Sequence, residues 1–146
     1  MRKLIFLDID GVLNNDYTKE KFAGFTGIDA RLRDMFISWW RLNSDVKLVL
    51  SSTWRIPSAY GNFVGHLIDN GLSFIGETPY LKGVGRGLEI QAWLIENTVP
   101  EETKYVILDD MSPSEFLKHQ RPFLVQTSAI KGLEPKKLNK IDELLR

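Results

Sequence analysis

Short apolar runs alternate along the chain with segments of helical periodicity. Four of these runs have the length and composition of buried strands, at residues 4–7, 46–50, 105–108 and 123–125. Polar or small residues follow each run, as is typical where the strands of a parallel sheet end and loops begin. A further short strand is predicted at residues 73–75.

Helical periodicity predicts four helices between and after these strands. Apolar positions recur at helical spacing from Ile28 to Trp39, and Thr26 with Asp29 resembles a capping box at the entrance of that helix. The other three helices are predicted at residues 63–68, ending near Gly71, at residues 88–95, opened by Gly87, and at residues 138–145, with Pro135 in the first turn.

Strands that alternate with helices favour an α/β fold. The pattern predicts a three-layer α/β/α sandwich with a mainly parallel, Rossmann-like sheet. No linker or shift in composition divides the chain, so we expect residues 1–146 to form a single domain.

Composition narrows the classes of function. Nineteen basic residues balance nineteen acidic ones, so overall charge does not require a nucleic acid or a membrane as partner. The chain has no cysteine, which excludes disulfides, thiolate metal sites and cysteine nucleophiles. No apolar stretch approaches the length of a membrane span, and acids interrupt the N-terminal apolar run too early for a signal peptide. The expected location is the cytoplasm.

The strand ends carry the candidate chemistry, because ligands of such sheets bind beyond the carboxyl ends of the strands. Asp8 and Asp10 follow the first strand, and Asp109 and Asp110 follow a late one. These acids converge if the two strands are neighbours, and crowded carboxylates repel one another unless a cation lies among them. Oxygen ligands favour a hard ion, and Mg²⁺ is the usual one because it also accepts phosphate oxygens.

Hydroxyl and cationic side chains extend this set. Ser51 and Ser52 offer hydroxyl groups at the end of the second strand, and Gly11 permits a sharp backbone turn after the first acid pair. Lys82 and Arg86 precede a helix whose N-terminus attracts anions. Phosphoryl transfer requires charge to be neutralised and phosphorus to be held in line, and these groups suit that task.

These residues fall into four motifs that resemble those of the haloacid dehalogenase (HAD) superfamily. The first is FLDIDGVL, the second LVLSS, the third a cation in GRGLEI and the fourth VILDD. They occur in the family's order over residues 4–110, about three-quarters of the chain. The wider pattern LSSTWR, RGLEIQAWL and YVILDD is similar to a branch of HAD-like domains that accompany RNA-repair enzymes and have polynucleotide phosphatases as relatives.

The resemblance implies a HAD-type phosphatase, a phosphoric monoester hydrolase. Asp8 would attack phosphorus and form an aspartyl-phosphate, and Asp10 would act as general acid and then as general base. Mg²⁺ would be held by Asp8, by the backbone carbonyl of Asp10, by Asp109, and by Asp110 directly or through water. An acid at Asp10 favours phosphate chemistry, because HAD dehalogenases lack one there.

The resemblance also implies substrate-binding residues. Ser51 or Ser52 would be the hydroxyl of the second motif, and Arg86, with Lys82 as the other candidate, would be the cation of the third. The hydroxyl and the cation would bind the transferring phosphoryl oxygens. Arg55 could clamp a second phosphate or the body of the substrate, because its planar fork suits bidentate contact.

The gaps between motifs bear on the substrate. HAD enzymes often carry a cap domain after the first motif or between the second and third, but residues 14–45 and 56–81 are too short for a separate one. A capless or minimally capped site suits a nucleic acid end or another phosphorylated macromolecule, and small nucleotides also fit. Tyr17, Phe22 and Phe25 could flank a base or sugar, or simply anchor their loop.

Two other classes of function share part of this pattern. A phospho-accepting receiver domain also uses acids, a hydroxyl and a lysine around Mg²⁺, but its phosphorylated aspartate should end a mid-chain strand, where Ser51 stands here. A binding module could keep the scaffold and bind nucleic acid without catalysis. The presence of all the motif acids argues against this second alternative.

Overall fold

A five-stranded parallel sheet and four helices organise the computed structural model, which describes residues 1–146. The strands are β1 (Arg2–Leu7), β2 (Lys21–Phe22), β3 (Phe25–Thr26), β4 (Val46–Leu50), β5 (Gly76–Glu77), β6 (Thr103–Asp109) and β7 (Leu124–Gln126). The helices are α1 (Ala30–Arg41), α2 (Phe63–Asp69), α3 (Arg86–Asn97) and α4 (Pro135–Leu145). None of them is both long enough and apolar enough to cross a membrane.

The sheet has the order β5-β4-β1-β6-β7, with every neighbouring pair parallel. Leu7 at the end of β1 is in register with Leu50 of β4 and with Leu108 of β6. The chain therefore leaves the three central strands at one edge of the sheet. This is where the sequence predicts the functional residues.

The two faces of the sheet bury separate apolar clusters, because successive side chains of a strand point to opposite faces. Ile5 and Leu7 face a core shared with α1, α2 and α4, whereas Leu4 and Phe6 face α3. Phe6 packs edge-on against Trp93 of α3, with ring centroids 5.6 Å apart. The predicted three-layer α/β/α sandwich with a parallel sheet is thereby confirmed.

The starts of two helices differ from the prediction. Asp29 is itself the N-cap of α1, since its carboxylate accepts hydrogen bonds from the backbone N–H groups of Arg31 and Leu32. The predicted capping box was wrong because Thr26 lies in strand β3 and is not the cap. Helix α3 begins at Arg86, one residue before the predicted Gly87, with Gly85 as its N-cap. The start of α4 at Pro135 is as predicted.

Two short strand segments also differ from the prediction. The edge strand lies at Gly76–Glu77 and not at residues 73–75. The backbone N–H of Ile75 donates to Leu48 and that of Thr78 to Leu50, so pairing with β4 begins only at Ile75. The β2–β3 hairpin inside the first gap was not predicted, because each of its strands has only two residues. No separate cap is present in either gap.

Candidate active site

Three carboxylates meet where β1 and β6 end. Asp8, Asp109 and Asp110 each place an oxygen within 4.8 Å of the others, and we call these three residues the acid cluster. The backbone N–H of Asp8 donates to the carbonyl of Leu108, which continues the pairing of β1 with β6 into the site. Asp8 and Asp109 are buried and Asp110 is half-buried. The convergence follows from the adjacency of the two strands.

Arg86, the first residue of α3, is the cation beside this cluster. Its Nη1 lies 3.2 Å from Asp8 Oδ1 and 2.9 Å from Asp109 Oδ2, and the three side chains are almost fully enclosed. Lys82, the other predicted cation, lies in an exposed turn and forms no ion pair. Arg86 is therefore the basic residue that the fold delivers to the acids.

One arginine does not balance three crowded acids. Burial raises the pKa of Asp8 well above the usual aspartate value, the Asp109 carboxylate raises it further, and Arg86 opposes the rise only in part. Burial also raises the pKa of Asp110, against the partial effect of its hydrogen bond with Asp8. The desolvation of Arg86 works to lower its pKa, but Asp8 and Asp109 outweigh it and the pKa rises. The cluster thus favours an added positive charge, either protons or a metal ion.

The donor set fits Mg²⁺, a hard cation that takes carboxylate oxygens. Gly11 makes room for the Asp110 carboxylate of this set: an added Cβ would lie 2.6 Å from Asp110 Cγ, and the φ of +78° disfavours other residues. Asp8, Asp109 and Asp110 are the side chains that could hold the ion. The Asp10 carboxylate is not in the cluster, so Asp10 could contribute only its backbone carbonyl, as the resemblance implies.

The Asp10 carboxylate is held by two residues that the sequence did not single out. Its Oδ1 accepts from Asn14 Nδ2 at 2.9 Å and its Oδ2 accepts from Trp54 Nε1 at 3.1 Å. Asn14 Oδ1 also accepts from the backbone N–H of Gly11 at 2.9 Å. These contacts orient an exposed acid beside the buried one. The only sequence signal was position: Asn14 directly follows the FLDIDGVL motif, and Trp54 lies in the LSSTWR stretch.

The two serines after β4 have different surroundings. Ser51 is buried, and its hydroxyl has no hydrogen-bond partner. The Ser52 hydroxyl accepts from the backbone N–H of Trp54 and caps the short 3₁₀ helix at Thr53–Arg55. An unpaired buried hydroxyl is costly in an ordinary core and common at ligand sites. Of the two serines, Ser51 is thus the one whose hydroxyl is not used by another group of the protein.

Arg55 points into the protein, which does not fit the predicted phosphate clamp. Its Nη2 pairs with Glu89 Oε2 at 3.0 Å, and both side chains are buried. A guanidinium has five N–H donors, and the other four meet the backbone carbonyls of Ser51, Ser52, Thr78 and Pro79. Arg55 therefore ties the loops after β4 and β5 to α3 and has no donor left for a phosphate.

Comparison with known proteins identifies the family of this chain. The family of the HAD domain in Swiss Army Knife RNA repair proteins matches residues 4–138. The chain belongs to that family. No curated protein and no solved structure is a significant match to it. The family supports assignment of the chain to the HAD-type phosphatase class.

An open cleft gives access to the site of this HAD domain. It has a volume of about 910 Å³, and Asp10, Gly11 and Asp110 are among the residues that line it. Its walls come from the β2–β3 hairpin and from the loop of residues 53–60. No separate domain covers it.

Proposed function

We propose that this chain is a single phosphatase domain over residues 1–146 that hydrolyses phosphomonoesters in the presence of Mg²⁺ through an aspartyl-phosphate. The observation that carries the proposal is the meeting of the acid cluster with Arg86 at the end of β1, beside an oriented Asp10. Phosphoryl transfer requires acidic metal ligands, a cation and a proton donor, and these residues supply all three.

In the first half-reaction an oxygen of Asp8 attacks phosphorus, and the ester P–O bond breaks. Asp10 donates its proton to the departing alkoxide, so the alcohol leaves neutral. In the second half-reaction Asp10 takes a proton from water as the water attacks the same phosphorus. The Asp8–phosphorus bond then breaks, which releases phosphate and regenerates both carboxyl groups.

The remaining residues position these two acids and bind the phosphoryl group. Arg86 fixes Asp8 and Asp109, and Ser51 offers its free hydroxyl to a phosphoryl oxygen. Asn14 and Trp54 hold Asp10. Mg²⁺, when bound by the acid cluster, neutralises the charge that would otherwise repel a phosphate dianion.

The proposed substrates are nucleotides or polynucleotides with a terminal phosphate. The support is the family's occurrence in RNA repair proteins, together with a cleft that is open enough for the end of a chain. Phosphate groups on other macromolecules, such as phosphopeptides, would reach the same cleft. The test therefore compares these substrates directly with nucleotides and oligonucleotides.

The test is phosphate release from nucleoside 3′- and 5′-phosphates, phosphate-ended oligonucleotides, sugar phosphates and phosphopeptides. We expect release with Mg²⁺ that EDTA stops, and a loss in Asp8→Asn of about 10³-fold or more, because the nucleophile is gone. Asp69→Asn, at an exposed site on α2, is the matched control and should retain full activity.

Three outcomes would contradict the proposal. Undiminished turnover in Asp8→Asn would remove the assigned nucleophile. A stable phospho-aspartate without turnover would favour the receiver-like alternative, and nucleic acid binding without release under any divalent metal would favour the non-catalytic binding module.

A further inference from the structure

Two aromatic rings stand exposed at the mouth of the cleft. Phe25 of β3 is 52% exposed and Tyr60 of the loop after β4 is 75% exposed. Their centroids lie 6.0 Å apart with planes at 68°, although the residues come from different segments of the chain. Both line the cleft that contains Asp10 and Asp110. Exposed rings at the mouth of a cleft are candidates for ligand contact.

The surrounding loops fix the backbone that carries Tyr60 against the hairpin that carries Phe25. Tyr60 lies in a tight turn closed by a bridge between Ser58 and Gly61, and its backbone N–H donates to Ser58 Oγ at 3.0 Å. Gly61 packs so closely on the hairpin that an added Cβ would lie 3.3 Å from the Phe22 ring. The turn and the hairpin are therefore one packed rim, which lowers the entropy cost of binding.

The other two aromatic residues of the first gap, Phe22 and Tyr17, have different surroundings. Phe22 stacks on His66 with centroids 3.9 Å apart, so its ring is used in packing. Tyr17 is 71% exposed but does not line the cleft. Of the three aromatic residues considered from the sequence, only Phe25 is both exposed and in the cleft, and the fold adds Tyr60.

The charges of the cleft limit the length of the ligand it can hold. Lys21 is its only basic lining residue, against Asp10, Asp16 and Asp110. A channel for a long polyanion carries several basic side chains along the backbone path. Aromatic rings with a single lysine suit one nucleoside, whose base presents a flat face for stacking.

We propose that Phe25 and Tyr60 form a stacking subsite for the nucleoside that carries the scissile phosphate. The ligand class is a phosphorylated nucleoside, either free or as the terminal residue of an oligonucleotide. The inference deepens the proposed function and rests on it, because the same cleft must deliver the phosphate to Asp8.

The test compares substrates with and without a base in Phe25→Ala, Tyr60→Ala and the control Tyr17→Ala. Adenosine 3′- and 5′-monophosphates are the base-bearing substrates, and glycerol phosphate is the reference, since an aryl phosphate could itself stack. We expect each cleft variant to raise KM for the adenosine substrates roughly 10-fold with kcat little changed. KM for glycerol phosphate, and all constants of Tyr17→Ala, should stay as in the parent protein.

Phosphate-ended oligonucleotides distinguish the two sources of the nucleoside. If the subsite holds only the terminal residue, dinucleotides and longer chains should share one KM and the same sensitivity to Phe25→Ala. A KM that falls steadily with chain length and with lower salt would overturn the single-nucleoside subsite in favour of an extended backbone contact.

Binding separates failure of the subsite from failure of the proposed function. Adenosine monophosphate titrated into Asp8→Asn with Mg²⁺ should bind, and should bind roughly 10-fold more weakly when Phe25→Ala or Tyr60→Ala is added. That result in a protein whose parent releases no phosphate would refute the phosphatase and keep the subsite. Release of phosphate with equal losses on glycerol phosphate and adenosine substrates would keep the phosphatase and refute the subsite.

Discussion

At the scale of single residues, Gly11 is a position where no side chain fits, both because of the backbone conformation and because of the neighbouring acid cluster. Its N–H donates to Asn14 and its carbonyl accepts from Thr127 Oγ1 at 2.6 Å, so the backbone there is fixed on both sides. Its φ is +78°, and the space above its Cα is taken by the Asp110 side chain. A methyl group must displace a carboxylate that the proposed metal site needs.

We predict that Gly11→Ala loses Mg²⁺ binding and at least about 10-fold of activity. Gly83→Ala is the matched control, since Gly83 has a φ of +80° but no atom within 4 Å of an added Cβ. Both variants should lose about 1 kcal/mol of unfolding free energy from the left-handed backbone. Titration calorimetry with Mg²⁺ and phosphate release measure the difference, and equal effects in the two variants would contradict the role of Gly11.

At the scale of elements, the β2–β3 hairpin supplies one wall of the cleft from only four paired residues. Its two-residue turn has positive φ at both central positions, +52° at Ala23 and +82° at Gly24. Such a turn matches the twist of the strands, and asparagine or glycine is the preferred first residue. Ala23 therefore holds a conformation that costs an alanine about 1 kcal/mol.

We predict that Ala23→Gly raises the unfolding free energy by about 0.5–1 kcal/mol, because the strain outweighs the added flexibility of the unfolded chain. Gly24→Ala in the same turn should lower the unfolding free energy, since an alanine would then have to adopt the left-handed φ of residue 24. Urea unfolding of the two variants and of the parent protein measures both changes in unfolding free energy. A loss of stability in Ala23→Gly would show that the hairpin carries no such strain.

At the scale of the whole molecule, the acid cluster makes stability depend on pH and on metal. Asp8 and Asp110 have raised pKa values in the folded state, so the folded protein binds more protons than the unfolded chain above the ordinary aspartate range. Stability without metal must then fall as pH rises from that range through the folded pKa values, and level off above them. At neutral pH a bound divalent ion would neutralise the carboxylates of the acid cluster in place of these protons.

We predict that Mg²⁺ raises the melting temperature at pH 7.5 much more than at pH 4.5, where protons compete for the same oxygens. At a 100-fold excess over Kd the gain should be about 3 kcal/mol. Asp110→Asn should be more stable than the parent protein at pH 7.5 without metal and should respond less to Mg²⁺. Thermal melts with Mg²⁺ and with EDTA provide the measurement, and an undiminished Mg²⁺ response in Asp110→Asn would contradict it.

The parts of the fold that could be predicted are those with a characteristic local pattern of residues in the sequence. Strands β1, β4 and β6 are short apolar runs, and α4 shows both its period and its Pro135 start. The β2–β3 hairpin was not predicted, because a strand of two residues is too short to show an alternation of apolar and polar positions. The capping box failed because a cap depends on where the helix begins, which packing decides.

The order of polar residues after the strands predicted that the acids meet if the two strands are neighbours, and the pairing of β1 with β6 fulfils that condition. The sequence by itself therefore determined the sandwich, the edge and the residue types gathered there. Only the tertiary structure decided that Arg55 faces Glu89, that Ser51 keeps a free hydroxyl, and that Tyr60 meets Phe25 at the cleft. Side-chain direction and partner depend on contacts between segments distant in sequence, which no local pattern encodes.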